Sequence, residues 1–428
     1  MRELNWAGNY GYRAGALHRP TDLEQVREIV TAAERVRVLG SRHSFNDIAD
    51  SEELITLEGL PGDVVVDHAS GSASFGAGLR YGELARALDA EGVALHNLAS
   101  LPHISVAGAV ATATHGSGDA SGNLATAVVA VELVTSSGEL VSASSGDADF
   151  DGLVVGLGAL GAVTRITLAV EPAYRVRQRA FEHLSWDALF EHFDEIFATG
   201  DSVSVFTRWG QVTDHVLVKS RATDAAEEPG GDLFGARAAT VEHHPIPGLD
   251  PVNCSPQLGV PGPWSERLPH FRMGFTPSNG EEIQSEYIVP RAHAIGAIEA
   301  VRALADTLAP VLQVSEIRTI AADGLWMSPQ YGHDTIGLHF TWRREQEGVE
   351  RVLVELEAAL APFEARPHWG KLFMAQAATL APLYERLADF RSLLERMDPR
   401  GAFRNDWLET RVLGSAVDGE AIGRAVAR

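Results

Sequence analysis

The chain reads as an α+β protein of two domains, and three observations lead there. Its 428 residues exceed what one core usually holds, since single cores stop growing near ~250–300 residues. A hydrophobic content of 45% with 22% charged residues is that of an ordinary globular protein. The first third interleaves helices with short β-branched strands and a hairpin, and no internal repeat is present, which removes solenoids and propellers.

Taken in order, Thr21 with Glu24 forms the pattern of a capping box at the start of an amphipathic helix running to about Ala33. The run Val36-Arg37-Val38 then predicts a strand that stops at Gly40, and further strands are expected at 54–57, 64–67 and 72–76. A helix over 81–91 ends at Gly92. Residues 105–122 are too poor in large apolar side chains for a core strand and too rich in Gly for a stable helix; such backbone suits close approach to another body. A hairpin follows, 127–135 and 139–143 joined by Ser136-Ser137-Gly138, and then a strand over 162–170 halted at Pro172, where the first domain ends. Beyond it, 222–235 and the proline-rich 245–269 read as loops. Strands are expected at 283–289, 314–321 and 335–342, helices at 291–308 and 348–361, and a loop at 398–403.

Bulk properties exclude several function classes. A net charge of −23 repels phosphate backbones and anionic lipid, so nucleic acid is not an expected partner. Cys254 is the single cysteine, so no intrachain disulfide forms, and no His cluster accompanies it at zinc-ligand spacing; no metal is expected. The start, Met1-Arg2-Glu3-Leu4-Asn5-Trp6, lacks the apolar stretch of a secretory signal, and the apolar run 124–134 is too short to span a bilayer and carries Glu132. A cytoplasmic monomer without membrane contact is the expectation.

Two segments carry the chemistry. In Val38-Leu39-Gly40-Ser41-Arg42-His43-Ser44 a strand enters a Gly/Ser turn whose backbone N–H groups converge, a nest suited to a pyrophosphate. Taken alone, an ordinary strand-to-loop turn explains it equally well. The second runs from Ala99-Ser100 through Ser105, Gly108, Ala109, Thr112, Thr114, His115 and Gly116 to Gly118, where small residues admit a large planar ligand while hydroxyls and amides bond to it. Period-two reading adds a third group: Glu316 and Arg318 share one face of a strand, and His339 and Thr341 share one face of another.

These segments, with Asn253-Cys254, 259–264, Pro269-His270-Phe271-Arg272, Glu316-Ile317-Arg318-Thr319 and Arg366-Pro367-His368-Trp369-Gly370-Lys371, resemble the vanillyl-alcohol-oxidase type of flavoprotein, in its sugar-alcohol and aldonolactone oxidase branch. The resemblance runs essentially end to end. It implies the FAD-binding fold of that group, with an FAD domain from 1–172 completed by the tail at about 375–428, and an α+β cap over 173–374. It implies FAD held covalently through His43. The family usually carries Gly before this histidine, and here Arg42 stands in its place.

By the same resemblance Glu316 and Arg318 grip the first two hydroxyls of a small polyol, Arg318 and Lys371 stabilise alkoxide character during hydride transfer to flavin N5, and Ala99 leaves a path for dioxygen. A neutral polyol needs many fixed donors and acceptors; Ser100, Gln284, Glu316, Arg318, His339, Thr341, His368 and Lys371 supply them. Aldonolactone oxidation is the nearest alternative, followed by a non-catalytic flavin-binding protein. A nicotinamide enzyme is disfavoured because no Gly-x-Gly-x-x-Gly joins an early strand to a helix.

Overall fold

The computed structural model describes residues 3–222, 231–274 and 282–414. Expected loop residues 223–230 and the end of the tail, 415–428, lie outside them.

Residues 16–172 supply three sheets. Ala16–His18, Glu53–Ile55 and Val36–Val38 form a parallel sheet with Glu53–Ile55 in the middle. An antiparallel five-stranded sheet runs Val64–Asp67, Ser72–Gly76, Ala162–Ala169, Val128–Val134, Leu140–Ser144, so the expected hairpin lies at its edge. A short pair joins Val93–Ala94 to Glu171–Pro172. The helix Leu23–Ala32 forms as expected, but its cap is Asp22, whose carboxylate accepts from Gln25 N–H at 2.9 Å. Thr21 and Glu24 therefore do not make the capping box, because the helix is capped one residue further on, by Asp22. The segment expected to lack helix contains one, Val106–Ala111, which buries Val106, Ala109 and Val110. Tertiary packing there overrides weak propensity.

All ten strands of the largest sheet come from 175–367. Its centre runs Ser202–Thr207, Leu312–Ile320, Thr335–Arg343, Glu282–Pro290, each antiparallel to the next. The C-terminal helices fold back on the first region. Arg396 pairs with Asp149 at 2.7 Å, and Val36 N–H donates to Ala402 O. Buried Arg37 donates to the carbonyls of Ile48, Leu157, Gly158 and Phe403. That guanidinium ties the tail to the strand leading into the Gly/Ser turn, which fixes where the turn begins.

Candidate active site

Register determines which side chains meet. Glu316 lies opposite His339, which lies opposite Glu286; Thr341 faces Gln284; Arg318 faces Gly337. Paired residues point to the same side of a sheet, so three strands place six polar side chains on one face. Between them Ile317, Leu338, Phe340 and Trp342 are buried on the other face. Gly337 is required here, since a Cβ would stand 3.1 Å from Glu286 Oε1 and 3.3 Å from His115 Cε1.

Glu286 is the hub. It is 2% exposed, and its Oε1 accepts from Arg318 at 2.6 Å while its Oε2 accepts from Lys371 Nζ at 2.6 Å. His115 Nε2 stands 3.3 Å from Oε1. Burial raises the Glu286 carboxyl pKa, but Lys371, His115 and Arg318 outweigh it and hold the group well below its ordinary value. Glu316 follows the same balance, burial opposed by Arg318 and His270, and it too stays ionised. Arg318 also reaches Ser100 Oγ at 3.4 Å and lies 3.7 Å from Glu316. Lys371 donates to His339 Nδ1 at 2.7 Å, and burial keeps that imidazole neutral with a pKa of about 4. Its Nε2 stands 3.2 Å from Thr341 Oγ1. The carboxylates of Glu286 and Glu316 are thus set against the cations Arg318 and Lys371, and a third carboxylate on the same strand face, Glu282, accepts from Gln284 at 2.6 Å.

This face opens on a cavity of ≈ 270 Å³ lined on the other side by Val38, Leu39, Gly40, Ser41, Arg42, His43, Ser44 and by Ala99, Ser100, Ser105, Gly108, Ala109, Thr112, Thr114 and His115. Gln284, His368 and Lys371 line it as well. Of the expected positions only Gly116 lies off the cavity; a Cβ on it would meet Asn97 and Leu98, so it serves their close packing. A second cavity of ≈ 80 Å³ shares Gly40, Ser41, Ser105 and Gly108 and continues past Thr56, Glu58, Arg80, Gly158 and Gly161.

The fit to a flavin dinucleotide rests on three observations. Small residues wall a long slot, as an extended ligand requires. Gly40 and Gly108 both face Ser105, where a Cβ would come within 2.3 Å and 2.7 Å of its hydroxyl. His43, stacked at 5.4 Å on Trp6, is held neutral by burial with a pKa of about 4, and its Nδ1 has no hydrogen-bond partner among the described residues. A neutral imidazole with a free ring nitrogen is the form that bonds to carbon. Arg42 takes the left-handed conformation, φ 64°, that Gly adopts freely, and its guanidinium turns to Glu3 at 2.7 Å. The turn therefore keeps its shape, and the charge at Arg42 is neutralised.

Sequence reasoning passed over Glu286, although it stands two residues from Gln284 on the same strand face, the spacing that identified Arg318 from Glu316. It also passed over His270, which meets Glu316 at 3.0 Å, and the slot residues Thr56, Glu58, Arg80, Gly158 and Gly161. Glycines after a strand carry no chemistry of their own to flag them.

Fold and site together define a flavin-dependent oxidoreductase with a buried polar pocket. Residues 14–144 match the FAD binding domain family and residues 276–411 the D-arabinono-1,4-lactone oxidase family. The chain is 49% identical to alditol oxidase from Streptomyces sp. over 94% of this chain and 97% of that protein, and 30% identical to L-gulono-1,4-lactone dehydrogenase from Mycobacterium tuberculosis over 96% and 98%. Among solved structures, cholesterol oxidase from B. sterolicum superposes with a TM-score of 0.77 at 15% identity, covering 95% of this chain and 96% of that one. The chain belongs to the alditol oxidase and aldonolactone oxidoreductase family of FAD enzymes.

Proposed function

We propose that this protein oxidises the terminal primary alcohol of an alditol of the xylitol or sorbitol type to the aldose, with dioxygen reduced to hydrogen peroxide. The observation that carries the reading is the Glu286-anchored pair of cations, Arg318 and Lys371, set beside Glu316 in one buried pocket. FAD, when bound, supplies the hydride acceptor.

The chain's residues do the rest. Glu316 accepts from a substrate hydroxyl and Arg318 donates to one, which orients C1. Ser100, Gln284, Thr341 and His368 complete the grip on an uncharged chain of hydroxyls. Oxidation removes a proton from O1 and a hydride from C1, both ending in hydrogen peroxide, and Arg318 and Lys371 stabilise the negative charge that appears on O1 as its proton departs. Glu286 keeps both cations charged and aimed, and each such donor is worth about 10²–10³ in rate. His339 Nδ1 accepts a hydrogen bond from Lys371, so the ring proton sits on Nε2, which donates. Ala99, a small residue on the cavity wall, leaves room for dioxygen. His43 is the residue we assign to covalent attachment, and the division into 1–172 with 375–428 as FAD domain and 173–374 as cap follows the separate sheets. We also place the protein in the cytoplasm as a monomer; among the described residues no helix is long and apolar enough to cross a membrane.

The lactone reading has support in the family match over 276–411, and substrate turnover separates the two. Peroxide release with xylitol or sorbitol, and none with gulono- or galactono-lactone, is the expected result; the reverse pattern reassigns the substrate. Yellow colour that stays on protein precipitated by trichloroacetic acid supports attachment through His43, and colour left in the supernatant refutes it.

A further inference from the structure

Behind Glu316, away from Arg318, lies a second polar chain that the reaction as described does not use. His270 Nε2 is 3.0 Å from Glu316 Oε1, and His270 Nδ1 is 3.2 Å from Lys219 Nζ, which also donates to the Leu268 carbonyl. Lys219 is 2% exposed and His270 is 6% exposed. The His270 main chain is tied to the same site, since its N–H donates to Ser100 O at 3.0 Å.

We propose that Lys219 and His270 are positioning residues that fix one oxygen of Glu316 and so present the other to the polyol. Lys219 has no acceptor to offer while it is an ammonium, so Nδ1 of His270 must accept. The ring proton is thereby placed on Nε2, where it donates to Glu316 Oε1. Arg318 Nε approaches the same oxygen at 3.7 Å. No described residue donates to Oε2, which is left for a substrate hydroxyl. Burial brings the Lys219 pKa down to about 7, against the opposing pull of Glu316 and with that of Arg318, while the Cys254 thiol also faces it. The amine form still donates to Nδ1, and ionised Glu316 Oε1 can only accept, so the proton stays on Nε2 through neutrality. Burial keeps His270 itself neutral, with a pKa of about 4. A buried lysine is costly to retain, and a role in orienting the Glu316 carboxylate towards the substrate accounts for its place.

The inference rests on Glu316 holding the polyol, and the test separates the two. In holoenzyme labelled with ¹⁵N-histidine, two-bond ¹H–¹⁵N correlation should show His270 with its proton on Nε2, the signal being assigned by its loss in His270→Gln. In Lys219→Met the proton should redistribute towards Nδ1. KM for xylitol should rise about 10-fold in Lys219→Met and about 10- to 100-fold in His270→Leu, with kcat at saturation changed much less. His270→Gln, which retains a donor near the Nε2 position, should restore KM to within about threefold. A proton on Nδ1 in the native enzyme, or an unchanged KM in folded His270→Leu while Glu316→Gln raises it, overturns the pair's role alone. An unchanged KM in Glu316→Gln overturns the reading of Glu316, and the inference with it.

Discussion

Glu286 shows how a single buried charge organises the site. Removing its charge leaves Arg318 and Lys371 as neighbouring cations without a shared anion, so Glu286→Gln is expected to lower stability by about 3–5 kcal/mol and kcat by about 10²-fold. Denaturant melts and steady-state rates check it; a variant as stable and active as the parent removes Glu286 from its central place. Glu316→Gln acts differently. It weakens polyol binding and raises KM, because the carboxylate's partner is substrate. At this scale the sequence was most legible where residue types repeat at strand spacing, as at Glu316 and Arg318 or His339 and Thr341. Glu286 escaped because alternation alone also describes a solvated strand face, and only the register across Thr335–Arg343 brings it against Lys371 and Arg318.

The turn 40–44 carries the argument one scale up. Arg42 holds a left-handed backbone conformation that costs a side-chain-bearing residue roughly 1–2 kcal/mol, and its pairing with partly exposed Glu3 returns less than that. Arg42→Gly is therefore expected to raise stability by about 1 kcal/mol with FAD content unchanged, as read by calorimetry and flavin absorbance. Loss of flavin in that variant contradicts the account of the turn. Gly40→Ala has the opposite sign, since its Cβ meets the Ser105 hydroxyl at 2.3 Å, and should reduce FAD content. Strand and helix positions in this half were readable from β-branched runs and bounding glycines. The short helix Val106–Ala111 was not, because Val-Ala-Gly-Ala-Val-Ala has poor helix propensity and forms only against the surrounding core. The strands Ser202–Thr207 and His215–Arg221 were unmarked too; both are buried on both faces over most of their length, where alternation is lost.

For the whole molecule, burial of neutral histidines sets the acid limit. His270 and His339 stay neutral in the native state down to about 4, whereas the unfolded chain takes up those protons from about 6.5 downward. Their contribution is full above about 6.5 and is lost as pH falls towards about 4, by up to about 1.4 kcal/mol per pH unit for each. Melting temperature should decline through that window, and less steeply in His270→Gln; a flat profile contradicts the assignment of these rings as buried and neutral. The break at Pro172 was legible, and it falls where the strands of one set of sheets end and those of the largest sheet begin, but the return of the tail was implied by resemblance alone. It depends on Arg37 donating to the Phe403 carbonyl 366 residues away, a contact no local pattern announces. The central claim is that Lys371 and Arg318, held by Glu286, drive hydride transfer from a polyol. Anaerobic mixing with xylitol tests it most directly. The account predicts rapid bleaching of the flavin, slowed by about 10²–10³ in Lys371→Met at unchanged FAD content; a flavin that xylitol does not bleach, or a Lys371→Met variant that bleaches at the parent rate, contradicts it.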